Sequence, residues 1–332
     1  MSLSVLKIIE NNLFLILYKH DYITPNDIKL NMKVKDGIIG FLIGDALGVP
    51  VEFSTREYLS QNPVVDMQGE GTYNQPKGTW SDDTAMTLAT MASIINKKGI
   101  DYTDMMDEFC NWAFNAEYLQ GDDVFDIGNT THNALLNYKY GKPASESGGS
   151  GIRDNGNGSL MRILPLAYLP DIDYESIENV SALTHAHNIS KIACVLYVEI
   201  AKSMILNDDL TIDEHVKNAI EKIKECYNDY EELEAFENIF NSDFSDISGK
   251  GYVIYTFECV LYCLKTTDNY KDAVLKAVNI GGDTDTNAAI CGGLAGIYYG
   301  FDEIPVDWIS QISKIEEVFS LCERYEAYCD GC

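Results

Sequence analysis

Apolar residues recur at three- and four-residue intervals along most of the chain after Lys33. This spacing places them on one face of a helix, so it predicts a protein built mainly of helices. Alternating patterns typical of strands are few and short, and residues 64–67 are the best example. The segments that we predict to be helical are residues 84–95, 104–115, 130–138, 189–206, 212–226, 253–264, 270–278 and 286–299.

The predicted fold class is all-α, with roughly a dozen helices of ordinary length in a single compact multi-helix domain. We assign residues 34–332 to this domain and residues 1–33 to an N-terminal helical extension that ends in a turn near Pro25. Glycines concentrate in the loops, and the sequence contains no internal repeat of fixed period. The acidic stretch 221–246 is predicted to be a solvated pair of amphipathic helices.

The composition is that of a strongly acidic globular protein. The chain has 332 residues, of which 46% are hydrophobic, so it can bury a sizeable core and is not disordered. Its 52 acidic residues outnumber its 24 basic residues, which gives a net charge of −28. This charge excludes a general nucleic-acid binder and argues against an anionic membrane surface as a partner. It leaves many carboxylates that could hold cations.

Neither a membrane span nor an export signal is expected. The longest uncharged run, residues 286–301, is rich in glycine and alanine, as in a closely packed buried helix. The apolar patch at residues 13–18 has no basic leader and no small-residue cleavage site, so it is not a convincing signal peptide. Nine scattered cysteines fit reduced thiols, so we expect a cytoplasmic protein. A metal site formed by Cys322, Cys329 and Cys332 is a weak alternative.

Two acidic clusters stand at predicted helix starts. They are residues 81–84 (SDDT) and residues 283–286 (DTDT), and each follows a glycine-containing turn. Taken singly, Ser81 and Asp283 could simply be N-caps, with the acids stabilising the helix dipole. Taken together, each cluster couples two carboxylates with a hydroxyl, a donor set that Mg²⁺, Mn²⁺ or Ca²⁺ prefers.

The two clusters would form a metal site if they face each other. Their four carboxylates would then repel strongly unless cations lie between them. Two ions about 3.5–4 Å apart would fill such a site. An EF-hand loop starting at Asp283 is excluded, because its sixth position is Ala288 instead of glycine and its twelfth is Leu294 instead of glutamate. The sequence therefore predicts a dinuclear metal cleft.

Further segments are candidates for ligand binding. Glu52 follows an apolar helix with closely spaced glycines, and it is either a site residue on a turn or a surface glutamate. The loop at residues 154–159 alternates glycine with asparagine before a predicted apolar helix, so it is either an anion-binding loop or a plain capped turn. Residues 125–130 have the same character. His185 and His187 lack a third zinc ligand, so we expect packing or hydrogen bonds to a ligand.

Seven motifs follow one another along the chain: GFLIGDALGVPVEF, GTWSDDTAM, FDIGNTT, GNGSLMRILPLA, LTHAH, GYVIYTFE and AVNIGGDTDTNAA. In this order they resemble the ADP-ribosylglycohydrolase family, which includes the dinitrogenase-reductase-activating glycohydrolases and the ADP-ribosylhydrolases of animals. The resemblance extends over residues 34–299, and the paired SDDT and GGDTDT motifs make it specific.

The resemblance implies an all-α domain with two Mg²⁺ or Mn²⁺ ions at the base of a cleft. The implied metal ligands are Ser81, Asp82 and Asp83 in a first group and Asp283, Asp285 and Thr286 in a second. Glu52 matches an acidic residue that, in some members of the family, contacts the metal site and gates or assists cleavage. The implied ADP-ribose contacts are Asp126, Gly128, Gly156, Asn157, Gly158, Ser159, His185 and Tyr252.

The expected activity is metal-dependent hydrolysis of the bond between ADP-ribose and a modified protein side chain, with arginine favoured over serine. Cleavage at the ribose C1 passes through an oxocarbenium-like transition state, and Glu52 or Asp83 could move the proton. We expect an ADP-ribosylated protein as substrate, ADP-ribose as product, no nucleic acid or membrane partner, and a monomer. The alternatives are a non-catalytic ADP-ribose-binding or structural relative of the same fold, and a metal hydrolase of another nucleoside or sugar phosphate.

Overall fold

A computed structural model describes residues 34–331, and they form an all-α fold, as predicted. The predicted extension, residues 1–33, lies outside the described residues, and so does Cys332. The α-helices of the described part are α1 (Val34–Gly48), α2 (Arg56–Gln61), α3 (Asp82–Lys97), α4 (Tyr102–Asn115), α5 (Asn129–Lys139), α6 (Ala144–Ser147), α7 (Tyr174–Ala182), α8 (Asn188–Leu206), α9 (Ile212–Cys226), α10 (Glu237–Asn241), α11 (Val253–Lys265), α12 (Tyr270–Asn279), α13 (Thr284–Tyr299), α14 (Val306–Ile309) and α15 (Ile315–Cys329). Short 3₁₀ helices lie at Val49–Val51, Gly71–Tyr73, Ile152–Asp154, Leu164–Tyr168, Glu231–Phe236 and Phe301–Glu303.

The helices predicted from apolar spacing are confirmed, with ends that agree to within two residues. The segment predicted at residues 212–226 coincides with α9. This helix begins with a capping box, in which the Thr211 side chain accepts from Glu214 N and the Glu214 side chain accepts from Thr211 N. Such agreement is expected where spacing and local capping point to the same boundary.

Helices α1 and α13 form the centre of the fold and pack backbone against backbone. A Cβ atom on Gly44 of α1 would lie only 2.0 Å from the carbonyl oxygen of Ala288, so this approach requires glycine. Residues 284–296 of α13 are all buried. The close packing places the end of α1 beside the first turn of α13, where Thr284 Oγ1 donates to Gly48 O at 2.8 Å.

Tertiary contacts and a proline determine the backbone at two places, and at the second of them the predicted apolar helix is wrong. Residues 64–67 form no strand; Val64 N donates to Asn279 Oδ1 and Val64 O accepts from Asn279 Nδ2, both at 2.9 Å, so one side chain takes the place of a neighbouring strand. The apolar stretch after the glycine–asparagine loop is a series of turns ending in the 3₁₀ helix Leu164–Tyr168. Pro165 lacks an N–H and cannot continue an α-helix through this stretch.

The acidic stretch 221–246 also differs from the predicted helix pair. Helix α9 ends at Cys226, and the rest forms the 3₁₀ helix Glu231–Phe236 and the short helix α10. The stretch is not wholly solvated, because Phe236 and Ile239 are fully buried. These two apolar side chains anchor an otherwise acidic segment to the core.

Two of the three C-terminal cysteines that were considered as an alternative metal site lie in the last helix. Cys322 and Cys329 are buried in α15. They belong to no closely spaced metal-binding group in the part of the chain that the structure describes.

Between residues 34 and 331, no helix combines the length and the apolar character needed to cross a bilayer.

Candidate functional site

The first acidic cluster begins helix α3. Ser81 is the N-cap, and its side chain accepts a hydrogen bond from Asp83 N at 3.2 Å, as predicted. Asp83 is fully buried and Asp82 nearly so. Asp45 of α1 holds this turn in place, because its carboxylate accepts from Ser81 N at 3.0 Å and from Thr84 Oγ1 at 2.6 Å.

The second acidic cluster begins helix α13, and its first acid differs from the N-cap prediction. Asp283 occupies the N-cap position, but its side chain makes no capping hydrogen bond. Its Oδ2 accepts instead from Asn157 Nδ2 at 2.9 Å, because the carboxylate points across to the glycine–asparagine loop. Asp285 and Thr286 are buried in the first turn of the helix.

The two clusters meet in space. Thr286 Oγ1 of α13 donates to Asp83 Oδ2 at 3.3 Å, and Ser81 Oγ donates to the same oxygen at 3.2 Å. The contact follows from the fold, because the glycine-mediated packing of α1 on α13 places both helix starts at one end of α1. The structure thus brings into contact the two helix starts that carry the six metal ligands implied by the resemblance.

Glu52 and Asp126 reach the same place from loops. Glu52 follows the 3₁₀ turn after α1 and is only 5% exposed, so the reading as a surface glutamate is wrong. Carboxylate oxygens of Glu52, Asp126 and Asp285 all lie within 4.8 Å of one another. The Asp126 backbone has a φ of 59°, and its Oδ1 accepts from Tyr73 OH at 2.7 Å.

Three buried carboxylate oxygens at this acidic centre have no hydrogen-bond partner among residues 34–331: Glu52 Oε2, Asp83 Oδ1 and Asp285 Oδ2. Buried charges without a partner are costly, and a cation would satisfy them. The surrounding donors are carboxylate and hydroxyl oxygens, which suit hard cations such as Mg²⁺ and Mn²⁺. The residues present therefore fit a divalent-cation site.

Burial and mutual repulsion raise the pKa values of these acids. The pKa of Glu52 rises from 4.5 to about 9, mainly because of burial and then because of the charge of Asp126. Burial is also the main cause that raises the pKa values of Asp82, Asp83 and Asp285 well above the ordinary value. Without a cation, the Glu52 carboxyl therefore holds its proton at neutral pH.

A cavity of about 380 Å³ opens beside the acidic centre. The acids on its wall are Glu52, Asp82, Asp126 and Asp283. The other predicted ligand-binding residues that line it are Gly128, Gly156, Asn157, Gly158 and His185. The first turn of α5 borders it as well, so helix N–H groups and a glycine-rich loop surround the space.

Ser159 and Tyr252 do not belong to the wall of this cavity, in contrast to the expectation. Ser159 is fully buried, and its Oγ accepts from Ser181 Oγ at 2.9 Å, because the turn directs this side chain into the core. Tyr252 precedes α11, and its ring packs edge-on against Tyr255. Its neighbour Gly251 lines the cavity instead.

The two histidines occupy different positions and share no metal site. His185 is buried and lines the cavity. His187 is the N-cap of α8, and its Nδ1 accepts from Ile189 N at 3.3 Å. Within residues 34–331, the closely spaced group of potential metal ligands is the acidic one at Glu52.

Sequence reasoning missed three residues at the site. Asp45 is fully buried, and its one signal is an acid inside the apolar helix α1. Arg153 lines the cavity with an exposed side chain, in a chain with few basic residues. Phe53 lines it too, 67% exposed and with a φ of 63°. Neither Arg153 nor Phe53 stands at a spacing that marks it in the sequence.

Comparisons with known proteins agree on one family. A family model described as ADP-ribosylglycohydrolase matches residues 26–331. The ADP-ribosylarginine hydrolase Tri1 of Serratia proteamaculans (strain 568) is 31% identical over 300 residues, which cover 88% of this chain and 78% of that protein. The ADP-ribosyl-(dinitrogen reductase) glycohydrolase of Rhodospirillum rubrum is 31% identical over 288 residues, which cover 84% of this chain and 90% of that protein. A solved structure named ADP-ribosylglycohydrolase-related protein complex matches with a TM-score of 0.75 and 26% identity, covering 91% of this chain and 100% of that one.

Proposed function

The chain belongs to the ADP-ribosylglycohydrolase family, and we propose that it uses two divalent cations to hydrolyse the bond between ADP-ribose and an arginine side chain of a modified protein. Its enzyme class, a glycohydrolase of ADP-ribosyl bonds, follows from the family and its relatives. The number of cations, the arginine acceptor and the residue roles are the proposal. The proposal keeps the cytoplasmic location and the monomeric state expected from the sequence.

The observation that carries the proposal is the meeting of two acidic helix starts beside a cavity. Partnerless buried oxygens of Glu52, Asp83 and Asp285 support cation binding at this place. We assign Mg²⁺ or Mn²⁺ as the cations, because the donors are all oxygen. The ligands that we assign are Ser81, Asp82 and Asp83 for one cation and Asp283, Asp285 and Thr286 for the other.

We assign the cavity to the ADP-ribose part of the substrate. Backbone N–H groups of Gly156 and Gly158 in the loop and of the first turn of α5 suit a diphosphate, whereas the N–H of Asn157 already donates to Gly251 O at 3.1 Å. Arg153 on the same wall supplies a positive charge that can pair with phosphate oxygens. A protein of net charge −28 can therefore bind an anionic ligand, because the nearby N–H groups and Arg153 stabilise the negative charge of the phosphates.

The roles of Glu52 and Asp83 can be separated by their surroundings. When bound, the cations would orient the ribose hydroxyls and lower the pKa of a coordinated hydroxyl or water. Hydrolysis takes one proton from the attacking water and delivers one to the leaving guanidino nitrogen. Glu52 lines the cavity with a partnerless Oε2, so we assign this proton transfer to Glu52. Asp83 lies behind the wall and accepts from Ser81 and Thr286, so we assign it as a metal ligand.

Phe53 supports arginine as the acceptor. Its exposed ring stands on the cavity wall directly after Glu52, and Phe53 N donates to Gly282 O at 2.6 Å, which holds the strained backbone. A guanidinium group can lie over an aromatic ring while nearby carboxylates attract its charge. The name of the Serratia relative, an ADP-ribosylarginine hydrolase, points to the same acceptor.

The experiment that tests the proposal measures ADP-ribose release from arginine- and serine-ADP-ribosylated peptides, with Mg²⁺ or Mn²⁺ and with EDTA. We expect release from the arginine peptide with metal and none with EDTA. Release from the serine peptide alone would overturn the arginine acceptor. Binding of ADP-ribose with no release from either peptide would favour a non-catalytic relative.

A further inference from the structure

A buried arginine lies close behind the cavity. Arg162 is fully buried, directly after the cavity-lining Met161. Its Nε and Nη1 have no hydrogen-bond partner among residues 34–331, and its guanidinium stands 4.6 Å over the Phe109 ring. A buried guanidinium with unpartnered N–H groups lowers stability relative to an apolar side chain of the same size. The third guanidinium nitrogen of Arg162, Nη2, does have hydrogen-bond partners.

Arg162 is connected to the cavity through the side chains of Thr184 and His185. Its Nη2 donates to Thr184 Oγ1 at 2.8 Å and to Val180 O at 3.1 Å. Thr184 Oγ1 lies 2.9 Å from His185 Nδ1. His185 itself lines the cavity, so the hydrogen-bonded chain runs from a buried charge through a hydroxyl to a cavity side chain.

The chain of hydrogen bonds defines which nitrogen of His185 carries the proton. Arginine can only donate, so one lone pair of Thr184 Oγ1 is occupied and its own hydrogen needs an acceptor. Thr184 is fully buried, and His185 Nδ1 is the one acceptor that the described residues offer this hydroxyl. Nδ1 is therefore the acceptor, and the proton of the neutral imidazole is on Nε2.

The Nε2 edge of His185 faces the part of the cavity wall that is made of glycine. A Cβ atom on Gly156 would lie 3.5 Å from Nε2, and one on Gly158 would lie 2.9 Å from Cε1. Neither glycine has a side chain that would cover this edge of the imidazole. The Nε2–H group can therefore reach a ligand held by the same loop.

The surroundings also keep His185 uncharged. Burial, and then the positive charge of Arg162, lower the pKa of His185 to about 3. A second positive charge beside the guanidinium would be unfavourable in this dry region. His185 is thus a neutral donor across the physiological pH range.

We propose that Arg162 and Thr184 are positioning residues that hold His185 as a neutral imidazole with its proton on Nε2, where it donates to an oxygen of bound ADP-ribose. That ADP-ribose accepts this hydrogen bond rests on the proposed function, whereas the protonation of Nε2 can be measured in the free protein. A failure of the proposed function can therefore be distinguished from a failure of the proposed proton position.

The test combines ¹⁵N NMR of the histidine rings with the affinity for ADP-ribose. The spectrum distinguishes the protonated ring nitrogen from the bare one, and comparison with His185→Gln assigns the signals among the five histidines. Thr184→Val removes the hydroxyl, and Thr184→Ser restores it. Thr90→Val is the matched control, because Thr90 is also fully buried but donates to Met86 O within α3.

In the free wild-type protein we expect a protonated Nε2 and a bare Nδ1 on His185. Thr184→Val is expected to lose this pattern and to bind ADP-ribose roughly tenfold more weakly, while Thr184→Ser and Thr90→Val keep both properties. A protonated Nδ1 in the wild type would overturn the proposal, and that result needs no variant to fold. An unchanged pattern and affinity in folded Thr184→Val would overturn it as well. If wild-type protein binds no ADP-ribose, the proposed function fails and the spectrum alone decides the position of the proton.

Discussion

Thr286 Oγ1 donates a hydrogen bond to Asp83 Oδ2 at 3.3 Å, although 203 positions separate the two residues in the chain. Each residue lies in the first turn of a helix, where acids are common for reasons of capping and dipole alone. Their contact, together with partnerless oxygens on Asp83 and Asp285, is what distinguishes a cation site from two ordinary helix starts.

Asp285→Asn is expected to abolish metal-dependent release of ADP-ribose while the fold is retained. The change removes a carboxylate that a cation needs, but it also removes a buried acid whose ionisation is disfavoured by burial and by the neighbouring acids, so stability in EDTA should be equal or higher. Activity with Mn²⁺ and thermal unfolding in EDTA check both parts. The exposed Asp302→Asn is the control and should keep full activity. Full activity of Asp285→Asn would contradict the assigned ligands.

The stability of the metal-free protein should fall as pH rises. The pKa of Glu52 is 4.5 ordinarily and about 9 in the folded chain, so the folded state binds a proton that the unfolded state releases between these values. The contribution of Glu52 is therefore fully present below about pH 4.5 and is lost as pH approaches about 9. Saturating Mg²⁺ replaces the proton and should reduce this fall. Urea unfolding at about pH 6 and about pH 8.5, in EDTA and in Mg²⁺, measures the fall in the free energy of unfolding. An equal fall in both solutions would contradict cation binding beside Glu52.

Phe53→Ala should reduce kcat/KM for the arginine-linked substrate by roughly threefold to thirtyfold, the range expected for a lost cation–π contact. The affinity for free ADP-ribose should stay unchanged, because the proposed contact of the ring is with the acceptor side chain and not with ADP-ribose. Tyr140→Ala, which removes another strongly exposed aromatic ring, is the matched control. Equal losses in substrate turnover and in ADP-ribose affinity would place Phe53 against the nucleotide instead.

Arg153→Gln should weaken ADP-ribose binding by about threefold to tenfold, because a charged partner of the diphosphate is lost. The loss should shrink at high salt, since Arg153 is exposed and its charge is screened. Lys217→Gln makes the same change of net charge at another exposed position and should have no effect. Binding isotherms at low and high salt provide the measurement. A loss of the same size for both variants would indicate a general effect of net charge.

The sequence predicts those parts of the fold that depend on local spacing. Helix α9 coincides with its predicted bounds, because amphipathic spacing and the Thr211 capping box act within a few residues. The same reasoning fails after Gly158, where Pro165 stops a helix that apolar content alone favours. It also fails at Ser159, whose direction depends on its contact with Ser181 in the core.

The site could be predicted only as far as its residues carry recognisable motifs. The two acidic clusters and Glu52 are visible in sequence, but their meeting depends on the packing of α1 against α13. Asp45 and Arg153 escape prediction because their roles exist only between segments that are distant in the chain. Long-range contacts of this kind leave no periodic signal.

The most direct test of the central claim is the stoichiometry of Mn²⁺ binding to the full chain, measured by calorimetry and electron paramagnetic resonance. We expect two Mn²⁺ ions per wild-type chain, with a spin coupling that reports their proximity, and loss of this pair in Asp285→Asn. No Mn²⁺ binding to the wild-type chain, or the same coupled pair in Asp285→Asn, would contradict a dinuclear site built from the starts of α3 and α13.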